Sequence, residues 1–240
     1  MTDLILEEGA LPAGASANGG RPSLFRRTVR PAGPAWARVG VLHGYGDHGG
    51  RYGHFMRWLA ERGVACHAVD FRGHGNAGGR RGFVSRWEEF LEDLREFLAC
   101  DPVAAEFPET PLFLVGHSHG GLVLAAAGEA GLDGVAGCVF SAPYLRGKMR
   151  VPGYKTLAAR VLDPVLPWLR ISNGLRSDWM SSDPEMLEET GRDPLVLHTA
   201  TPRWYLTCLR AQAEVLQRAP RFRQPLLMLV PEADPVADPQ

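Results

Sequence analysis

The chain has 240 residues, of which 45% are hydrophobic, and its 26 lysines and arginines against 27 aspartates and glutamates leave a formal net charge of −1. This length suits one large domain, and this composition excludes a disordered chain. The balanced charge argues against a surface that follows nucleic-acid phosphates, so no nucleic-acid partner is expected.

The amino-terminal segment predicts neither an export signal nor a membrane anchor. Residues 1–24 are rich in glycine, alanine and proline and are expected to form a loose lead-in. They lack the basic start and long apolar run of a secretory signal. No stretch of the chain approaches the roughly 20 apolar residues of a transmembrane segment. A cytoplasmic location is therefore expected.

Between residues 25 and 144, short apolar runs alternate with amphipathic ones. Glycine-rich turns follow several of these runs, and Ser85 and Glu88 predict a capping box before one helix. The predicted strands lie at about 38–42, 64–69, 111–117 and 134–144, and the predicted helices at about 51–63, 85–99 and 121–131. This order predicts an α/β fold with a mostly parallel sheet and helices on both faces. Ligands of such sheets bind at the carboxyl ends of the strands.

Residues 145–205 interrupt the alternation. They contain clustered prolines together with Trp168, Trp179 and Trp204. We interpret this segment as an inserted helical cap above the same edge of the sheet. Residues 206–240 then return to the core with a further predicted strand, "PLLMLVPEAD".

The segment "GHSHG" at residues 116–120 lies between a predicted strand and a predicted helix. The pattern G-x-S-x-G arises often by chance, but a strand–turn–helix context is what a nucleophile elbow requires. Ser118 would occupy a strained turn, which Gly116 and Gly120 leave unobstructed.

Two backbone amides could stabilise an oxyanion near this serine. One is the amide of His119, at the start of the predicted helix. The other is the amide of Tyr45, because the loop "HGYG" at residues 43–46 follows an earlier predicted strand.

The two histidines beside Ser118 allow a second interpretation, a metal site. His117 and His119 have the spacing of a metal-ligand pair, but Gly120, Gly121 and Leu122 supply no further ligand. The serine interpretation is therefore favoured, and no metal or organic cofactor is expected.

Four segments together resemble the α/β-hydrolase fold, and more narrowly its monoacylglycerol lipase and lysophospholipase branch, also called serine aminopeptidase-like. They are "HGYGDHGGRY" (43–52), "DFRGHGNAGGRRG" (70–82), "GHSHGG" (116–121) and "PEADPVAD" (231–238). Four positions depart from that branch: Asn76 and Ala77 alter the second segment, His119 replaces a more usual methionine, and Pro231 replaces a common glycine.

The resemblance implies a function and a set of roles. Ser118 would attack the acyl carbon of a carboxylic ester, and Asp234 would orient the base. His43 and Gly44 would support the oxyanion loop, while Asp70 and His74 would brace neighbouring loops. The expected substrate is a small ester or lipid, of the monoacylglycerol or lysophospholipid type. A transient contact of the cap with a membrane surface is also expected.

The resemblance also places the catalytic histidine after the acid, yet no histidine follows Asp234. We expect that the chain lacks a carboxyl-terminal segment that supplies this base. Two alternatives stay open. His198 could serve as the base, or the protein could be a non-catalytic module that binds acyl ligands.

Overall fold

The computed structural model of the protein describes residues 3–11, 21–149 and 151–239. Within these residues the strands are β1 (Leu4–Ala10), β2 (Phe25–Pro31), β3 (Ala37–Leu42), β4 (Val64–Asp70), β5 (Leu112–His117), β6 (Val135–Ser141), β7 (Ile171–Ser172), β8 (Thr199–Ala200) and β9 (Leu226–Leu229). The α-helices are α1 (Gly53–Ala60), α2 (Glu88–Ala99), α3 (Pro102–Glu106), α4 (His119–Gly128), α5 (Gly153–Leu162), α6 (Pro184–Arg192) and α7 (Pro202–Arg218).

Seven strands form one sheet in the order β1-β2-β4-β3-β5-β6-β9. β1 and β2 are antiparallel to their neighbours, and the other five strands are parallel to one another. One apolar core lies under α1, and another contains side chains of α2, α4 and α7. The predicted α/β-hydrolase architecture, a mostly parallel sheet with helices on both faces, is confirmed.

The expected loose lead-in is wrong for residues 4–10. These residues form β1, which pairs with β2 along its whole length. β1 begins with three apolar residues followed by two glutamates, and β2 carries three arginines, so neither strand alternates apolar and charged residues regularly. Glu8 lies opposite Arg27 and contacts its guanidinium at 3.5 Å. Much of the rest of the expected lead-in, residues 12–20, lies outside the described residues.

The capping box expected at Ser85 and Glu88 does not form. The helix α2 begins at Glu88, so this residue lies within its first turn. The backbone amide of Ser85 instead donates a hydrogen bond to the carboxylate of Glu89 at 2.8 Å. The predicted helix is present, but the acidic side chain one position further on satisfies this amide.

The central strands bring the polar loops to one edge of the sheet. Every residue of β3 and β4 is buried. Because these strands and β5 and β6 run parallel, the loops after Leu42, Asp70, His117 and Ser141 lie at the same edge. The apolar runs thus form the buried strands, and the parallel strands place the polar loop residues at one edge of the sheet.

The segment 145–205 stands apart from this alternation. It contains α5, α6 and the short antiparallel pair β7–β8. The expected boundary after residue 205 falls inside α7, which begins at Pro202 and is capped by the Thr201 hydroxyl. Among the described residues, every helix is too short or too polar to cross a bilayer.

Candidate active site

Ser118 occupies a strained turn between β5 and α4. Its φ of 49° and ψ of −112° lie where L-residues are uncommon. Neighbouring backbone groups hold the turn: its amide donates to the Ser141 carbonyl at 2.9 Å, and its carbonyl accepts the Tyr144 amide at 2.9 Å. Ser118 therefore lies in the sharp strand–helix turn that the sequence predicts.

The glycines that flank this turn have no room for a side chain. A Cβ on Gly116 would lie 2.6 Å from the carbonyl oxygen of Gly120. A Cβ on Gly120 would overlap the carbonyl oxygen of Leu42, at the end of β3. Gly116 thus makes room for the first turn of α4, and Gly120 makes room for the end of β3.

The loop after β3 approaches Ser118. A Cβ on Gly44 would lie 3.4 Å from the Ser118 Cβ. The amide of Tyr45 makes no hydrogen bond to any residue that the structure describes. The amide of His119 opens α4, where a helix has no partner for its first amides. The amides of Tyr45 and His119 therefore remain candidates for an oxyanion site beside Ser118.

The imidazole of His43 holds this loop through two hydrogen bonds. The Phe71 amide donates to its Nε2 at 3.1 Å, so Nδ1 carries the proton and donates to the Gly44 carbonyl at 2.7 Å. Burial lowers the pKa of His43, although Asp70 and Asp47 oppose the shift. The imidazole is therefore neutral near pH 7 and holds Gly44 in place.

Contacts with the predicted cap segment also fix this loop, and sequence reasoning missed them. The Leu197 amide donates to the Gly46 carbonyl at 2.7 Å. The Gly50 amide donates a hydrogen bond to Nδ1 of His48. The proton of this imidazole therefore lies on Nε2, which donates to the Asp193 carboxylate at 2.8 Å. His48 and Asp193 lie 145 positions apart, and no local pattern pairs residues over such a separation.

Asp234 lies in the loop after β9. Its Oδ1 accepts the amides of Val236 and Ala237 at 2.7 and 2.9 Å. Its second carboxylate oxygen accepts no hydrogen bond from the part of the chain that the structure describes. Lys148 donates to the Asp234 carbonyl at 2.9 Å. The carboxylate is thus held by one oxygen while the other remains available.

The eight histidines of the chain all lie among the described residues, and none of them donates to or accepts from Ser118 Oγ. His198, an alternative base, is exposed and does not line the cavity described below. His117 contacts Ser141 Oγ through its Nδ1 at 3.3 Å. These residues therefore do not bring a base to the serine.

The imidazoles of His117 and His119 have different surroundings. His117 lies near Tyr52, with ring centroids 6.4 Å apart. His119 is enclosed by aromatic rings, with Phe90 at 4.6 Å and Trp87 at 5.3 Å. The two rings share no neighbour among these contacts, so this geometry does not favour the metal interpretation.

The carboxylate of Asp70 connects β2 with the loops that follow β3 and β4. Its carboxylate accepts Arg27 at 2.8 Å, the Gly49 amide at 2.7 Å and the Asn76 amide at 2.8 Å. Burial pushes the pKa of Asp70 upward, but His43 and the hydrogen bonds from Arg27 and Asn76 outweigh burial and hold it below its usual value. The carboxylate is therefore ionised, and its oxygens are occupied by structural partners.

We expect Asp70→Asn to lower the free energy of unfolding by about 3 kcal/mol at pH 7, because it breaks a buried ion pair. A lowered folded-state pKa stabilises the fold above the unfolded pKa of about 4, and this contribution is lost as the pH falls through the folded pKa. The difference from the wild type should therefore narrow below about pH 4.

Urea denaturation at several pH values measures this difference. Glu8→Gln is the control, because Glu8 pairs with the same arginine but is exposed; we expect a change within about 0.5 kcal/mol. A destabilisation by Asp70→Asn of equal size at pH 7 and pH 3 would contradict the role of its charge.

A cavity of about 360 Å³ opens beside Ser118. Its walls come from the elbow, the oxyanion loop, α5 and the start of α7, and they are largely apolar. Val236, from the Asp234 loop, also lines it. Ser118, Tyr45, His119 and the loop of the candidate acid therefore border one cavity.

The chain is similar to known proteins in both sequence and structure. The family described as "Serine aminopeptidase, S33" matches residues 33–240. The chain is 32% identical to a monoacylglycerol lipase of Mycolicibacterium smegmatis, over 82% of this chain and 69% of the relative. It is 30% identical to an uncharacterized abhydrolase domain-containing protein of Dictyostelium discoideum, over 92% of this chain but only 23% of that relative.

Among solved structures, a monoacylglycerol lipase of Paleococcus ferrophilus superimposes with a TM-score of 0.73. The two sequences are 30% identical, and the alignment covers 86% of this chain and 77% of the other. The chain thus shares both fold and sequence with enzymes of this kind.

Proposed function

Because this chain belongs to the serine aminopeptidase S33 family and has the α/β-hydrolase fold, we propose that it acts as a serine hydrolase on carboxylic esters. The observation that carries this proposal is the strained backbone of Ser118, at the start of α4 and beside the cavity. This turn lifts a serine hydroxyl clear of the sheet, where a substrate can reach it.

In the proposed reaction, Ser118 Oγ attacks the carbonyl carbon of the ester. The carbonyl oxygen becomes an oxyanion, which the amides of Tyr45 and His119 stabilise. The carbon–oxygen bond of the ester breaks, the alcohol leaves with a proton, and an acyl-serine remains. Water then releases the acid and restores the serine. No metal or organic cofactor takes part in these steps.

The reaction needs a base to take the proton of Ser118. Since none of the histidines of residues 1–240 contacts Ser118 Oγ, we place the base on a histidine outside these residues. Asp234 would orient it through its second carboxylate oxygen, in keeping with the hydrogen bonds that occupy only the first. Asp234 would thereby also stabilise the imidazolium that forms.

The proposed substrate carries one long acyl chain, as in a monoacylglycerol or a lysophospholipid. The largely apolar walls and the volume of the cavity support this choice. The monoacylglycerol lipases named above support it as well.

The cap offers a surface through which such a substrate could arrive. Tyr154, Leu157 and Val161 are exposed on one face of α5, and Val165 and Leu166 continue this apolar patch. Exposed patches of this kind mark sites of contact with proteins or membranes. We propose that this patch makes a transient contact with a lipid surface.

A chain-length series tests the ester specificity on the full natural protein that contains these residues. We expect kcat/KM to rise at least about tenfold from p-nitrophenyl butyrate to p-nitrophenyl decanoate, because each buried methylene contributes about 0.8 kcal/mol. Ala158 lines the cavity, so Ala158→Trp should remove this rise and leave turnover of the acetate ester unchanged.

Three outcomes would contradict this proposal. A maximum at the acetate ester would contradict a long-chain substrate. Faster turnover of aminoacyl p-nitroanilides than of any ester would make the protein an amidase. Tight binding of acyl ligands without turnover would favour the non-catalytic module.

A further inference from the structure

The side chain of Tyr45 is fixed by the end of the cap segment. Its ring stacks on the Trp204 ring of α7, with ring centroids 3.5 Å apart and planes inclined by 22°. Its hydroxyl lies 3.0 Å from the Gly82 carbonyl oxygen and 3.3 Å from the Thr199 carbonyl oxygen. Burial raises the pKa of this hydroxyl, which therefore stays protonated and donates at neutral pH. Both the face and the tip of the tyrosine are thus held.

Residues 197–204, which we call the anchor segment, also hold the main chain around Tyr45. The Leu197 amide donates to the Gly46 carbonyl at 2.7 Å, and a Cβ on Gly46 would lie 2.7 Å from the Leu197 carbonyl oxygen. The Thr201 hydroxyl donates to the Gly82 carbonyl at 3.0 Å, so it shares this acceptor with Tyr45. The anchor segment therefore contacts the oxyanion loop through both its side chains and its backbone.

The local chain does not by itself fix the direction of the Tyr45 amide. Tyr45 lies between Gly44 and Gly46, and glycine has more backbone freedom than any other residue. An oxyanion donor is effective only when it is held in place before the reaction. Because the side chain and the amide belong to one residue, a fixed side chain restricts the rotation of this peptide.

Resting on the proposed ester hydrolase function, we propose that the Tyr45 side chain and Trp204 position the Tyr45 amide for the oxyanion. Trp204 is a positioning residue, since it acts through the stacked tyrosine and donates nothing to the oxyanion. The end of the cap segment would therefore take part in the reaction through the amide that it holds, besides enclosing the substrate.

A comparison of an oxoester with a thionoester tests this role in the full natural protein. Sulfur is a weak hydrogen-bond acceptor, so the oxyanion amides contribute little to the reaction of a thionoester. We expect Trp204→Leu to lower kcat/KM about 30-fold for p-nitrophenyl butyrate but less than about threefold for its thiono analogue, because loss of one oxyanion donor costs about 10²- to 10³-fold and this variant only displaces the donor.

The thionoester separates positioning from packing. Trp204 also lines the cavity, and a damaged cavity wall would lower the turnover of both esters equally. Trp204→Phe keeps a ring that can stack on Tyr45 and should restore oxoester turnover to within about threefold of the wild type. Trp58→Leu is the matched control, because Trp58 is exposed on α1, and it should leave both rates unchanged.

Tyr45→Phe serves as the second variant if Trp204→Leu does not fold. It keeps the stacked ring and removes only the hydroxyl, so oxoester kcat/KM should fall about fivefold, the effect of roughly one hydrogen bond. Thionoester kcat/KM should again change less. Hydrogen exchange of the 240-residue chain gives a readout without a reaction: amides in residues 43–48 should exchange about tenfold faster in Trp204→Leu than in Trp58→Leu.

Equal losses for the two esters would overturn the positioning role. Unchanged oxoester turnover in both Trp204→Leu and Tyr45→Phe, or unchanged exchange of residues 43–48 in Trp204→Leu, would overturn it as well. If the wild type hydrolyses p-nitrophenyl butyrate through Ser118, each of these results contradicts the positioning role alone. A wild type that hydrolyses neither ester contradicts both this role and the proposed function.

Discussion

Replacing Ser118 by alanine is expected to lower kcat/KM for a monoacylglycerol by roughly 10⁴- to 10⁶-fold in the full natural protein. The variant loses the only oxygen that the proposed reaction acylates, while the oxyanion amides and the cavity remain. Substrate affinity should change little, so the loss should appear in kcat. Release of fatty acid, followed with a pH-stat, measures it.

The exposed Ser182 of the cap provides the matched control, and Ser182→Ala should retain wild-type turnover. Circular dichroism should show that both variants are folded. A decrease of less than about tenfold in Ser118→Ala would mean that another group performs the chemistry.

Replacing Gly120 by alanine is expected to lower the stability of the protein strongly. The added methyl group would overlap the Leu42 carbonyl oxygen, and the His43 carbonyl lies at 2.8 Å. Neither group can move away without displacing the end of β3 and the oxyanion loop. Overpacking against backbone of this kind costs about 3 kcal/mol, which lowers Tm by about 10 °C in a chain of this size. Differential scanning calorimetry measures the change.

Gly153→Ala is the control for this substitution. A Cβ on Gly153, at the start of α5, meets no atom within 4 Å. Its Tm should equal or slightly exceed that of the wild type, since alanine favours helix. Equal Tm values for Gly120→Ala and Gly153→Ala would contradict the close approach of the elbow to β3.

The core of the sheet could be predicted because its strands are buried on both faces. β3, β4 and β5 appear in the sequence as short apolar runs that end in glycine-rich turns, and the structure places them within about one residue of the predictions. Parallel strands then bring their carboxyl ends together. The positions of Ser118 and Tyr45 near one edge thus follow from local patterns and one topological rule.

The two antiparallel strands and the contacts between the core and the cap could not be predicted in the same way. β1 and β2 carry too many charged side chains for a hydrophobic pattern, and only their pairing makes them strands. The bond from His48 to Asp193 and the stacking of Tyr45 on Trp204 join distant parts of the chain. Such contacts depend on the tertiary fold, which no local window contains.

Local sequence patterns predict the backbone context of the histidines beside Ser118 but not the neighbours of their rings. His117 and His119 suggest a metal pair by spacing alone, but the strand–turn–helix context favours the serine between them. The His119 ring itself lies near Trp87 and Trp204, which come from distant parts of the chain, and only the tertiary fold brings these rings together.

Covalent labelling tests most directly whether Ser118 is the nucleophile. The full natural protein is treated with a fluorophosphonate, digested, and analysed by mass spectrometry. We predict one phosphonate adduct, on Ser118 within the peptide that contains "GHSHGG", and no adduct in Ser118→Ala. Labelling of another residue, or equal labelling of the wild type and Ser118→Ala, would contradict the claim.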